Sequence, residues 1–206
     1  MNGFTRGCGN ALLLGGALMI LINVAITPLL PRSEVSAAVM SGDIFLLRQS
    51  ASGVAALLLL FGCLGLHLVQ RLASGVFGAS AFLLAFVGSS LLFAVEWANV
   101  FVLRAVARTS AATLAAIDKH PFMNLGFATA AGIFALGWFL LSVSLWRAQV
   151  LPRWAALATM AGLLATPVLQ GLLGLAGAIA GNLLFGVGLM GLGRAVARSS
   201  TSASDR

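Results

Sequence analysis

The chain has 206 residues, of which 60% are hydrophobic and only 8% charged. A soluble domain carries about 25% charged residues, so 12 Lys+Arg and 5 Asp+Glu cannot coat a water-soluble globule of this size. A mean hydropathy of +1.05 agrees. The composition excludes a soluble enzyme, a disordered chain and a secreted disulfide scaffold, and leaves a protein dissolved in a bilayer.

The net charge is +7. The basic residues are scattered as singles and pairs between apolar runs, without a Lys/Arg cluster or a basic helix face interleaved with aromatics. Nucleic acid is therefore not an expected partner, and the charges read as topogenic.

A hydrocarbon core about 30 Å thick needs roughly 20 apolar residues at 1.5 Å each. The first span on this ruler is 9–30, closed by Pro28 and Pro31. Its apolar stretch exceeds the 7–15 residues of a signal-peptide core, and cleavage after Ala25 would put Asn23 at a position that prefers small residues. It reads as an uncleaved span. Residues 31–49 carry Arg32, Ser33, Glu34, Asp43 and Arg48 and read as a loop.

The second span is 51–69, ending at Gln70 and Arg71, and the third is 75–103. The third has 29 residues, about 43 Å of helix. Helical character continues through Arg104–Asp118 to Pro121, so this helix is expected to project from the membrane or bend into a surface helix. The fourth span is 123–146. The uncharged run Trp154–Gly193 is twice the ruler, and Pro167, Gly171 and Gly174 mark a break. The fifth and sixth spans are then 154–170 and 174–193, with a Ser/Arg-rich disordered tail at 194–206.

The expected fold is a single all-α domain over 1–193, a polytopic membrane bundle of about six helices with both termini on one side. Arg6, Arg71, Arg147, Arg153, Arg194, Arg198 and Arg206 share that side. Arg32, Arg48, Arg104, Arg108 and Lys119 share the other. The bias makes the side with the termini cytoplasmic. Trp97, Trp146 and Trp154 fall near helix ends, as interfacial aromatics do.

Residues 53–72 match 153–172 at seven of 20 positions, and RAVAR recurs at 104–108 and 194–198. A weak 3+3 inverted repeat, of a kind found in secondary transporters, is one reading. The abundance of Ala, Leu and Gly in every span produces such matches without one.

Glu96 is the single acid inside a span, and an intramembrane ionisable residue is expensive enough to be a functional candidate. Asn99 shares its helix face and Arg104 lies two turns on. An interfacial cluster anchored by Trp97 is the structural alternative. His67, Asn23, Gln170 and Asn182 are the other polar candidates in the spans. The amides fit interhelical hydrogen bonding better than a polar path. Gly174, Gly177 and Gly181 suit close helix packing. His67 and His120 fall on opposite sides of the membrane, so one monomer cannot ligate a haem through both. Cys8 and Cys63 are not placed to bridge, and no metal-binding, P-loop or triad spacing occurs. No cofactor, metal or catalytic group is expected.

EWANVF (96–101), the basic helix ending near Asp118 and LWRAQVLPRWA (145–155) resemble segments of uncharacterised multi-pass membrane proteins of high-GC bacteria, including families defined only as domains of unknown function. The resemblance lies within 91–154. It implies a bacterial plasma-membrane protein and no assigned activity.

Three functions follow as expectations. The first is a non-enzymatic envelope protein acting with a membrane-protein partner or as a homo-oligomer. The second is a small-molecule or lipid transporter or binding protein using Glu96 and intramembrane amides, which requires a cavity lined by Glu96 and at least one amide. The third and weakest is a membrane redox subunit using His67 or Cys63.

Overall fold

The structure is a computed structural model and describes residues 2–31 and 36–199. Arg32, Glu34 and Arg206 lie outside the described residues, as does the tail beyond Ser199. Among the described residues every regular element is helical. They are α1 (Asn2–Leu21), α2 (Ala37–Ser41), α3 (Asp43–Ala98), α4 (Arg104–Thr109), α5 (Ala111–Asp118), α6 (Pro121–Ala148), α7 (Arg153–Leu173) and α8 (Leu175–Ser199). Wide π turns prolong α1 over Ile22–Ile26 and join α3 to α4 over Asn99–Leu103.

Five helical stretches are long and apolar enough to cross a membrane: Gly3–Leu29, Asp43–Thr109, Pro121–Ala148, Arg153–Leu173 and Leu175–Ser199. The second has 67 residues, about 100 Å if straight, roughly three times a hydrocarbon core. It is not straight. Gly75 has φ 54° and ψ −150°, a conformation essentially reserved for glycine, and α3 doubles back there. His67 of the first arm stacks on Phe82 of the second at 4.4 Å between ring centroids. Gly53 faces Glu96, where a Cβ on the glycine would lie 3.7 Å from the glutamate Cβ.

Gly174, with φ 59° and ψ −135°, makes the second such reversal, between α7 and α8. The expected break spread over Pro167, Gly171 and Gly174 is concentrated at the last of these. Pro167 and Gly171 remain inside α7, because the lost hydrogen bond of a proline bends a helix without obliging it to end.

Other boundaries also move outward. Residues read as a loop begin α2, where Val39 N–H donates to the Ser36 hydroxyl at 3.3 Å, and α3 starts at Asp43, not near 51. The tail expectation is corrected over 194–199, which continue α8. The physical reason is shared: a charge marks where the hydrocarbon ends, whereas a helix needs only its backbone hydrogen bonds to continue past that depth. The helix after 103 does bend, as expected. Its break is at Ser110 (φ −153°, ψ 105°), whose hydroxyl accepts from Thr113 N–H at 3.1 Å and starts α5. This is ordinary serine N-capping.

Long helices that follow one another along the chain run antiparallel, as do α1 and α8. α1 lies between the first arm of α3 and α8, with Gly15 against Leu58 and Leu59, and Gly16 against Gly186 and Leu189. The second arm lies on α6, where a Cβ at Gly137 would meet the Ala85 main chain at 2.5 Å. The main core runs between the arms, α6, α7 and α8, and includes Leu59, Leu66, Trp138, Leu141, Leu189 and Leu192. Trp138 is fully buried, with its ring edge-on to Phe185 at 6.1 Å. A second, smaller core gathers Met40, Phe45, Leu103, Ala107 and Leu114. It folds α2, α4 and α5 onto one end of the bundle. The described chain ends meet at the other end, where Gly9 lies against Ala197.

Candidate functional site

The end of the bundle covered by α2, α4 and α5 holds a group of buried polar side chains. The hairpin at Gly75 brings 48–53 beside 96–101, and the π turn after α3 widens the backbone there. Such turns occur frequently at functional sites. Gln49, Glu96 and Asn99 are all buried. Asn99 Nδ2 donates to Glu96 Oε2 at 3.4 Å. From the first arm, Arg48 Nη1 donates to Gln49 Oε1, and Arg48 Nε donates to the Thr27 hydroxyl at 3.3 Å. Thr27 in turn donates to the Ile22 carbonyl at 3.0 Å, across the π turn ending α1. A carboxyl group and a guanidinium therefore lie at this end of the bundle, each hydrogen-bonded to an amide.

Two cavities open beside this network, and Gln49 lines both. One, of about 230 Å³, lies between the arms and is lined by Glu96, Gln49, Gly53, Leu57, Phe93 and Trp97 among others. The second, of about 320 Å³, is lined by Asn99, Gln49, Phe45, Leu103, Met123 and Phe127 among others. Each is mostly apolar with three polar residues at its wall, Gln49, Ser50 and Glu96 in the first and Gln49, Asn99 and Asp118 in the second, the general character of a small-ligand site.

Of the candidates read from sequence, Glu96 and Asn99 come together here and Arg104 does not. Arg104 Nη2 instead pairs with Asp43 Oδ1 at 3.0 Å and donates to the Ser41 carbonyl at 3.3 Å, tying α4 to the turn before α3. Arg48 holds the place expected for Arg104. Gln49, Arg48 and Thr27 were missed because Arg48 and Gln49 fell in a segment read as a loop. The usable signal was the hinge: a reversal at Gly75 puts 49–53 opposite Glu96.

The remaining candidates are dispersed. Asn23 Nδ2 donates to Met19 O, and Asn182 Nδ2 to Ala178 O, each at 2.8 Å within its own helix. The expectation of interhelical bonding by these amides is corrected: a four-residue back-bond satisfies the group locally. Gln170 is exposed. Interhelical polar contacts come from Trp138 Nε1 to Ser89 Oγ at 3.0 Å and Ser144 Oγ to Gln70 Oε1 at 3.4 Å. His67 stacks on Phe82, and its buried Nδ1 has no hydrogen-bond partner. Gly177 and Gly181 do lie in a close contact, against Leu169 and Thr166 of α7, while Gly174 has open space around it and serves as the hinge. Cys8 and Cys63 are buried free thiols. Among the described residues no three His, Cys, Asp or Glu side chains gather where a metal ion could sit.

Among the described residues these observations define an all-helical protein with five helices long and apolar enough to span a membrane, and a mostly apolar cavity at one end that Glu96 and Gln49 help to line. No family model, curated protein or solved structure matches the chain.

Proposed function

We propose that the protein is a plasma-membrane binding protein or transporter for a small amphiphile, held between the arms of α3 with its polar group at Glu96 and Gln49. The observation that carries this reading is the cavity lined by both an intramembrane carboxylate and an amide. The Glu96 carboxyl accepts one N–H from Asn99 and keeps further acceptor capacity, which an amine or hydroxyl headgroup fits. The apolar body of the ligand would lie along Leu57, Phe93 and Trp97.

Six membrane passes belong to the same reading, because each arm of α3 has the length to cross a bilayer by itself. The termini would face the cytoplasm. Arg6, Arg71, Arg147, Arg153, Arg194 and Arg198 support this, since they fall at that end while the described acids Asp43, Glu96 and Asp118 fall at the other. An inverted 3+3 repeat is supported by the two hinges, Gly75 and Gly174, which share nearly the same φ and ψ and follow the matching stretches 53–72 and 153–172. In such architectures the ligand site lies among the repeats.

The test uses the full chain in lipid nanodiscs. Dodecylamine and dodecanol are expected to raise the unfolding temperature and dodecanoate to leave it unchanged. Glu96→Gln should abolish the preference for the amine. Gly53→Phe, which fills the cavity, should abolish the response to both dodecylamine and dodecanol. Equal shifts in the native chain and Gly53→Phe would overturn the proposal.

A second reading, an accessory protein with a membrane-protein partner or a second copy, is favoured by Trp97 and Phe101. Both are 56% exposed, and their rings lie 4.3 Å apart at a 40° tilt on the outer surface of this end. Cross-linking from position 101 to a partner, with no amphiphile response, would select it.

A further inference from the structure

The opposite end of the bundle carries a larger cavity that the amphiphile site does not use. It has a volume of about 690 Å³ and is lined by Leu13 of α1, Pro152 and Trp154 before and at the start of α7, and a stripe of α8. That stripe is Val187, Met190, Gly191, Arg194 and Arg198, with Ala195, the spacing that puts residues on one helix face. Along it the chemistry is ordered. Val187, Met190 and Leu13 form an apolar floor at membrane depth. The Trp154 ring lies directly on Gly191, where any side chain would collide with it. Arg194 and Arg198 follow, one and two turns farther out, both exposed. Val187 to Arg198 covers about 16 Å along the axis.

We infer that this groove is a binding site for one anionic phospholipid of the leaflet at that end. Its phosphate would sit at Arg194 and Arg198, its glycerol region at the Trp154 ring, and the upper part of an acyl chain on Val187, Met190 and Leu13. Charge complementarity chooses this occupant. Six arginines and no described acid lie at this end of the protein, so a zwitterionic headgroup gains less there than an anionic one. The apolar floor separates a lipid from a free anion, which would have no use for it. Basic pockets between membrane helices on the cytoplasmic side recognise anionic headgroups by this combination, and tryptophan at the headgroup level is the usual interfacial anchor.

The test is native mass spectrometry of the full chain in detergent micelles titrated with dioleoylphosphatidylglycerol, dioleoylphosphatidylcholine or inorganic phosphate. One phosphatidylglycerol is expected to bind in preference to phosphatidylcholine, and phosphate is expected not to displace it. A basic residue near an anionic surface contributes roughly a fivefold gain, so Arg194→Gln with Arg198→Gln should weaken binding about thirtyfold. Arg6→Gln with Arg71→Gln removes the same charge at the same end outside the groove and should change it less than about threefold on the same scale. Val187→Trp keeps the charges and fills the floor, and should also weaken binding. Equal losses in the two arginine pairs, displacement by phosphate, no preference for phosphatidylglycerol, or an unaffected Val187→Trp would each overturn the inference. All five substituted positions are exposed, and the fold of each variant is checked by its unfolding temperature.

Discussion

The Trp138 indole N–H donates a 3.0 Å hydrogen bond to the Ser89 hydroxyl, joining α6 to the second arm of α3 in the fully buried centre of the bundle. Ser89 in turn donates to the Ala85 carbonyl at 2.8 Å, so its hydroxyl is already oriented to accept. Trp138→Ala removes this bond and the edge contact with Phe185 and leaves a cavity. We expect a loss of about 3–5 kcal/mol. Ser89→Ala leaves the indole N–H unpaired and should lose about 1 kcal/mol. Reversible unfolding in mixed micelles measures both, and the reverse order would contradict the packing described.

Three glycines should respond to alanine in three ways. Gly75 has space for a methyl group but a left-handed φ, so Gly75→Ala should destabilise by about 1–3 kcal/mol through backbone strain alone. Gly181 is helical but lies against Thr166, so Gly181→Ala should destabilise by a comparable amount, about 1–3 kcal/mol, through overpacking. Gly171 is helical with nothing near it, so Gly171→Ala should stabilise by about 0.5–1 kcal/mol. The same unfolding assay reads all three, and the sign at Gly171 is the sharpest check.

The Arg104–Asp43 pair should be asymmetric. The Asp43 side chain is 96% exposed and that of Arg104 only 14%. Asp43→Asn should be close to neutral, as exposed ion pairs generally are. Arg104→Ala also frees the Ser41 carbonyl, so amide exchange should accelerate in Ala37–Ser41 and Arg104–Thr109 while the core of the bundle stays protected. Uniform acceleration would show that α2 and α4 do not open as a local unit.

Cys8 and Cys63 are both buried and free. A membrane-permeant maleimide should leave both unmodified in the folded protein and label both after denaturation. Rapid labelling of Cys63 under native conditions would contradict its burial between the two arms, where it faces Ser89.

Much of the architecture was legible in the linear pattern because apolar length and charge placement report membrane depth directly. The fourth helix was expected at 123–146 and is found at Pro121–Ala148, where Pro121 at the first turn and the left-handed Gln149 set its ends. The hinge at Gly174 falls at one of the three residues that mark a break in the long uncharged run. Gly75 was placed at the start of a span, but nothing in its neighbours says that its φ is positive. The polar site was half legible. Glu96 stands out as the lone acid in an apolar run, and Asn99 follows at helical spacing. Arg48, Gln49 and Thr27 come from sequence-distant segments whose polarity resembles any loop.

What the sequence determined by itself is the solvent and the class of structure. With 8% charged residues and long uncharged runs, only helices that satisfy their own backbone can form in hydrocarbon. The tertiary structure decided which polar groups meet. A fold-back at one glycine sets Gly53 against Glu96 and leaves the space that Gln49 and Glu96 line. That outcome depends on the antiparallel register of two arms, which is set by side-chain packing between them and is not encoded in the period of either arm.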